Sequence, residues 1–267
     1  MSGELSVDCE QVRGVLVDFI AGFFEQARCD RAVIGLSGGL DSSTAALLAS
    51  QALGKGRLTC VILPYGGLSA DARQDIDAVI ALAGAERIEL DITQQIDAYF
   101  ERFADADRVR RGNKMARERM TILYDQSAAI GGLVVGTSNR TEWLLGYFTL
   151  WGDMGAALWP LGCLYKTQVR QMAGHLGLPQ RIIDKPPSAD LWRGQTDEGE
   201  MGVSYEDADR ILYRLVDLEM SERQVIAEGF PRAAVTRVIE LMRGSEFKRR
   251  LPVTPDLPQT APRDDFI

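Results

Sequence analysis

Histidine is almost missing from this chain: His175 is the one imidazole among 267 residues. That excludes a multi-histidine metal site and makes histidine-based catalysis a poor basis for any activity. Cysteine is scarce as well. Cys9, Cys29, Cys60 and Cys163 form no C-x-x-C pair, so zinc-ribbon and dithiol redox motifs are absent. Such irregular thiols suit a reducing cytoplasm, each acting as a small apolar residue. No run of 18 apolar residues occurs, so no membrane-spanning helix is expected. The opening MSGELSVDCEQVRG has acids where a secretory signal needs a basic start and an apolar stretch. Nor is there an excess of cations. Lys and Arg number 30 against 38 Asp and Glu, a net charge of −8. A nucleic-acid coat needs a basic face to displace counterions, so no nucleic acid and no membrane is expected as a partner. A local anion pocket can still sit on an acidic protein.

What remains is an ordinary globular composition, 46% hydrophobic and 25% charged. Helical spacing of apolar residues marks 12–26, and AVIGL at 32–36 reads as a buried strand. LTCVIL at 58–63 is a second strand, followed by a helix over 70–83 and an alternating strand over 87–92. The stretch 93–130 reads as helix broken near Arg111-Gly112-Asn113, and 133–135 is a further strand. A helix over 165–176 stops at Gly177 and Pro179. Residues 181–183 read as a brief extended piece, 185–202 as a long loop, and 205–217, 221–228 and 232–243 as helices. Strands alternating with helices predict an α/β fold. The expected architecture is a Rossmann-like, doubly wound parallel sheet with additional C-terminal helices. One domain is expected over 1–267, with an irregular tail from 252 to 267.

The informative segment is Ser37-Gly38-Gly39-Leu40-Asp41-Ser42-Ser43, between the first strand and a helix. Ligands bind at the carboxyl ends of strands in such sheets. Two glycines allow close backbone approach, and the helix N-terminus adds unpaired amides, which together make an anion site. Asp41 is out of place in a phosphate cradle unless a cation such as Mg²⁺ stands between. The plainer alternative is a tight turn with Asp41 or Ser42 as a helix cap. Neither G-x-x-x-x-G-K-[ST] nor G-x-G-x-x-G is present. The loop resembles that of the PP-loop ATP pyrophosphatases, whose fold is the adenine nucleotide alpha hydrolase-like one and which cleave ATP to AMP and pyrophosphate.

Further blocks narrow the resemblance. Gly112-Asn113-Lys114-Met115-Ala116-Arg117-Glu118-Arg119-Met120, Gly136-Thr137-Ser138-Asn139-Arg140-Thr141-Glu142 and Gly146-Tyr147-Phe148-Thr149 with Gly152-Asp153 resemble the NAD synthetases. So do Tyr165-Lys166-Thr167-Gln168-Val169, Pro187-Ser188-Ala189-Asp190-Leu191, Gln195-Thr196-Asp197-Glu198 and Glu246-Phe247-Lys248-Arg249-Arg250. The similarity runs from about residue 10 to residue 252.

The resemblance implies ATP-dependent amidation of deamido-NAD through an adenylated intermediate, with ammonia as nitrogen donor and Mg²⁺ as cofactor. It implies that Gly35, Leu36, Ser37, Gly38, Gly39, Leu40, Asp41 and Ser42 hold ATP, together with Thr137, Lys166 and Ser188. Asp41 and Glu142 would hold the metal. Asn113, Arg117, Phe247 and Lys248 would contact deamido-NAD, and Asp153 and Lys166 would serve catalysis. Taken alone, Glu142 and Lys166 read as solvated helix residues, Thr137 as a strand-end cap, and Arg119 as part of a structural ion pair. Leu150, Ala157 and Phe247 depart from one ammonia-dependent branch, which leaves the contacts to the sugars and phosphates of deamido-NAD open. The stretch 149–154 is instead similar to glutamine-dependent members. Only residues 1–31 precede the first strand, too few for a glutaminase domain, so ammonia would come free or from a separate glutaminase. A homodimer is implied, and 185–202 is expected to act as a lid. The alternatives are another PP-loop adenylating amidotransferase, or an adenine-nucleotide-binding protein that has lost amidation.

Overall fold

In a computed structural model covering residues 3–188, 191–192, 194–250, 252 and 254, four short strands make one parallel sheet. They are β1 (Ala32–Gly35), β2 (Leu58–Ile62), β3 (Glu86–Glu89) and β4 (Leu133–Val135), in the order β3-β2-β1-β4. Ala32 pairs with Leu58 on one side and Leu133 on the other. The helices are α1 (Cys9–Gln26), α2 (Leu40–Leu53), α3 (Ala70–Ala83), α4 (Thr93–Phe100), α5 (Arg108–Ile130) and α6 (Arg140–Leu145). After these come α7 (Lys166–His175), α8 (Gln180–Ile183), α9 (Asp197–Met201), α10 (Tyr205–Leu212), α11 (Glu222–Ala227) and α12 (Arg232–Gly244).

Alternation along β1 and β2 builds both layers. Ala32, Ile34, Leu58, Cys60 and Ile62 face a core formed with α1, α2, α3 and α7. Val33 and Val61 face the opposite way, onto Ile96 and Phe100 of α4 and Met115 of α5. A sheet covered on both faces needs apolar residues at successive positions, which explains the unbroken AVI and LTCVI runs. The expected doubly wound sheet is therefore present. A second cluster joins α6, α9, α10, α11 and α12 through Leu145, Met201, Ile211, Val225, Val235 and Val238. Those are the additional C-terminal helices.

The chain runs outward from β1 through β2 to β3, then returns to the far side of β1 as β4. This reversal opens a crevice at the carboxyl ends of β1 and β4, the place where such sheets bind ligands. Beyond β4 the wall continues through a parallel bridge from Val135 to Leu158.

Several local expectations differ from the structure. The helical stretch breaks at 101–107, where Asp107 caps α5 by accepting from Arg110 N at 2.7 Å. Gly112 sits inside α5 because a segment packs on it: a Cβ there would lie 2.9 Å from Leu191 Cδ1 and 3.2 Å from Trp192 Cζ3. Residues 181–183 form a helical turn, preset by Pro179 at φ −54°. β3 stops at Glu89. It is an exposed edge whose charged residues discourage further pairing. Within 185–202 the chain forms α9, and residues 189, 190 and 193 lie outside the described residues, as does the expected tail except for Pro252 and Thr254.

Gly146 ends α6 in the left-handed region at φ +67°, and a Cβ there would fall 2.0 Å from Ser245 Cβ. Gly146→Ala is expected to destabilise the fold by about 1–3 kcal/mol through overpacking and backbone strain. The urea midpoint measures it, and an unchanged midpoint would contradict this packing.

Candidate active site

The crevice holds a cavity of ≈ 770 Å³, lined by the loop after β1, the ends of β2 and β4, α5, the 146–153 segment, and residues 185–188, 191, 192, 195, 197 and 200. The loop after β1 turns at Gly38, whose φ of +73° suits glycine. Its side chains organise the loop. Ser42 Oγ accepts from Ser37 N at 3.3 Å, and Gly39 N donates to Ser37 Oγ at 3.2 Å. Gly39 is the N-cap of α2 and has no side chain to satisfy the first-turn amides, which leaves them for an anionic ligand.

Three charged side chains meet at the foot of this loop. Asp41 comes from the first turn of α2, Glu142 from α6 and Lys166 from the start of α7. Lys166 Nζ donates to Asp41 Oδ2 and lies 3.4 Å from Glu142 Oε1, with its side chain only 5% exposed. Asn139 braces both acids. Its Nδ2 donates to Asp41 Oδ1 at 2.9 Å, its Oδ1 accepts from Glu142 N at 2.9 Å, and its N donates to Glu142 Oε2 at 3.3 Å. The last two bonds form a capping box, so the N-x-x-E pattern after β4 is what aims Glu142 at the cleft.

Burial, then the charge of Asp41, pushes the Glu142 carboxyl well above the usual range, and Lys166 works against that rise. For Lys166 itself, burial opposes the charge, but Asp41 and Glu142 outweigh it and its pKa is raised. Two hard carboxylate oxygens around one cation position suit Mg²⁺, which commonly takes one or two carboxylates and completes its shell with phosphate and water. Among the described residues, no group of three or more His, Cys, Asp or Glu is placed to hold a metal by itself.

Below this cluster, Asp197 opens α9. It accepts from Tyr147 Oη at 3.1 Å and Tyr205 Oη at 3.0 Å, and burial raises its pKa. The Tyr205 ring lies 4.9 Å from Lys166 Nζ. Asn139, Tyr147 and Asp197 stand in the quoted blocks without an expected role, and Tyr205 lies outside those blocks. The capping-box spacing could have found Asn139.

The other expected site residues divide. Thr137, Ser188, Asn113, Asp153 and Lys248 line the cavity with Gly35 to Ser42, apart from Gly38 at the turn. Asn113 Oδ1 accepts from Thr149 Oγ1 at 2.8 Å. Asp153 accepts from Thr149 N at 2.8 Å and opens to the cleft, whose walls desolvate it and raise its pKa. Lys248 donates to the carbonyls of Gly146 (2.9 Å) and Phe148 (2.8 Å), and burial lowers its pKa. Arg117 and Phe247 are not brought into the lining. Arg117 Nε donates to Leu150 O at 3.1 Å, and the Phe247 ring is 64% exposed. Arg119 does line the cavity, and its Nε donates to Leu63 O at 2.9 Å.

The NAD synthase family model matches residues 12–252. The NH3-dependent NAD+ synthetase of Trichlorobacter lovleyi is 46% identical over 93% of this chain and 91% of its own. That of Fusobacterium nucleatum is 43% identical over 94% and 97%. Among solved structures, the NMN synthetase from Francisella tularensis aligns with a TM-score of 0.83 at 33% identity, covering 94% of this chain and 100% of its own. The NH3-dependent NAD synthetase from Campylobacter jejuni aligns with a TM-score of 0.81 at 27% identity, with the same coverage.

The charge cluster makes a prediction about pH. Replacing Lys166 by Met leaves Glu142 facing Asp41 with no cation between them, so the folded-state pKa of Glu142 rises further. A folded carboxyl with a raised pKa keeps a proton that the unfolded chain has released. Its contribution to stability is whole below the unfolded pKa and is lost as pH climbs through the folded one. In metal-free buffer, Lys166→Met should lose more melting temperature than wild type between about pH 5 and about pH 8. Equal losses in the two proteins would contradict the cluster's electrostatics.

Proposed function

The chain belongs to the NAD synthase family, and on that premise we propose that its cleft amidates deamido-NAD with ammonia, converting ATP to AMP and pyrophosphate. The observation that carries this reading is the buried Asp41–Lys166–Glu142 cluster beneath a glycine loop at the sheet's switch point. A carboxylate oxygen leaves badly and AMP leaves well. The nicotinate carboxylate oxygen therefore attacks the α-phosphorus of ATP, the bond to the β-phosphate breaks, and pyrophosphate departs. The nitrogen of ammonia then adds to the acyl carbon, the bond to AMP breaks, and the nitrogen releases one proton. No enzyme nucleophile is needed, which agrees with the scarcity of cysteine and histidine. Catalysis is positioning and charge neutralisation.

In this account the residues from Gly35 to Ser42 surround the triphosphate, with Thr137 and Ser188 also on ATP. Lys166 turns from its two carboxylates toward phosphate oxygens when nucleotide enters. Asp41 and Glu142 would hold Mg²⁺, which supplies positive charge to the triphosphate. Asn113 and Lys248 face the acid substrate within the cleft. Arg117 and Phe247 lie beyond its lining, where only an extended dinucleotide reaches. Asp153 accepts the proton of an arriving ammonium, and burial, which raises its pKa, favours its holding that proton. The 185–202 segment shields the adenylate from water. Asp197 N closes its base on Pro187 O at 3.1 Å, Leu191 seats over Gly112, and Arg108 lies 5.3 Å from the Trp192 ring. We further place the chain in the cytoplasm as a single domain over 1–267, working as a homodimer on free ammonia or ammonia from a separate glutaminase. Its four cysteines are free, and among the described residues no helix is long and apolar enough to cross a membrane.

One measurement follows NAD, AMP and pyrophosphate together in the purified chain, with ammonium or glutamine as nitrogen source. Ammonium should give all three in equal amounts, and glutamine none. The Francisella tularensis neighbour's name makes the mononucleotide acid a necessary second substrate in that assay. Asp41→Asn should abolish turnover while leaving the melting temperature near wild type. Near wild-type activity in that variant, or glutamine-driven NAD formation at the ammonium rate, would refute the reading.

A further inference from the structure

Lys166 is the first residue of α7, and the leading amides of a helix have no partner within it. Here they are bound from two other elements. Lys166 N donates to Thr141 Oγ1 of α6 at 2.9 Å, and Thr167 N donates to Asp209 Oδ2 of α10 at 2.8 Å. The ring closes where Thr141 Oγ1 donates to Asp209 Oδ1 at 2.5 Å. Thr141 and Asp209 are both 0% exposed. One carboxylate therefore grips two chain segments, each with its own oxygen. Thr141 is the neighbour of Glu142, and Thr167 is the neighbour of Lys166.

This placement is costly for a helix contact alone. Burial raises the pKa of Asp209, and the bonds from Thr141 and Thr167 oppose that rise. An ionised aspartate offers two acceptors and no donor on one rigid plane, and an amide or hydroxyl cannot copy that. It also places negative charge at the positive end of α7. The geometry gains a defined distance between the two segments, and with it the 3.4 Å separation of Lys166 Nζ from Glu142 Oε1.

We infer that Asp209 is a positioning residue for amidation: through Thr141 and the first turn of α7, it sets Lys166 in register with Glu142 and Asp41 without touching substrate. The inference rests on Lys166 acting as the phosphate-binding cation proposed above. Asp209→Asn keeps the shape and one acceptor, but turns an NH2 toward a hydroxyl that already receives Lys166 N. In variants whose melting shows them folded at the assay temperature, kcat with ammonium should fall about 10- to 100-fold, with KM for ATP and deamido-NAD little changed. A purely structural role would lower the melting temperature and leave kcat of the folded fraction intact. Thr141→Val interrupts the same ring, so the double variant should lose no more kcat than the worse single one. Thr141→Ser, which keeps the hydroxyl, should recover most of what Thr141→Val loses. If Asp209→Asn fails to fold, the Thr141 pair carries the test alone. Wild-type kcat in folded Asp209→Asn or Thr141→Val, or a loss confined to KM, would overturn the inference. Failure of the wild type to form NAD from ammonium would instead overturn the reading of the site itself.

Discussion

Two carboxylates and one ammonium share a buried space at the centre of this protein, and the surrounding architecture exists to hold them there. Like charges in a poorly solvated pocket cannot both stay ionised without a cation, and an unpaired buried charge is strongly destabilising. Asp41 follows β1, Glu142 follows β4, and Lys166 begins α7. The sheet order sets the first two on opposite sides of the switch point, and the packing of α7 delivers the third between them. Without ligand, Lys166 serves both acids. That pairing keeps a deeply placed charge cluster tolerable.

The same logic extends outward from the cluster. Tyr147 and Tyr205 hold Asp197 with hydroxyls, so a further acid is satisfied without a further cation. Arg249 donates to the Trp143 and Leu144 carbonyls at the end of α6, and Lys248 donates to the Gly146 and Phe148 carbonyls just beyond it. The C-terminal EFKRR stretch therefore fixes the helix that carries Glu142. On the opposite wall, an acidic protein concentrates cations on one helix. Arg110 and Arg111 lie 4.5 Å from the Phe103 and Phe100 rings, and Lys114 lies 5.4 Å from the Tyr99 ring. Aromatic faces hold these side chains in place, and Asp97 and Glu118 pair with Arg111 and Lys114.

What was legible in the sequence was local. A strand, two glycines, an acid and a helix within residues 32–53 announce an anion site because turn and helix-terminus chemistry act over a few residues. The unbroken apolar runs at 32–36 and 58–63 read as buried strands for the same reason. Distant partnerships were not legible. Gly112 reads as a helix breaker until Leu191 is seen packed against it. Asp209 reads as one more acid on an amphipathic helix, since its partner Thr141 lies 68 positions away. Arg119 donates to the Leu63 carbonyl across 56 positions, a bond that no local pattern announces. The resemblance implies that Arg117 and Phe247 contact deamido-NAD, and their place outside the cavity lining is one that only tertiary packing decides.

The path of one oxygen atom tests whether the nicotinate carboxylate attacks ATP beside this cluster. Deamido-NAD labelled with oxygen-18 in its nicotinate carboxylate would be turned over with ATP and ammonium, and the AMP, pyrophosphate and amide would be analysed by mass spectrometry. Attack on the α-phosphorus predicts one labelled oxygen in AMP, none in pyrophosphate, and the other retained in the amide of NAD. Label in pyrophosphate or inorganic phosphate, or AMP without label, would place the attack elsewhere and contradict the account.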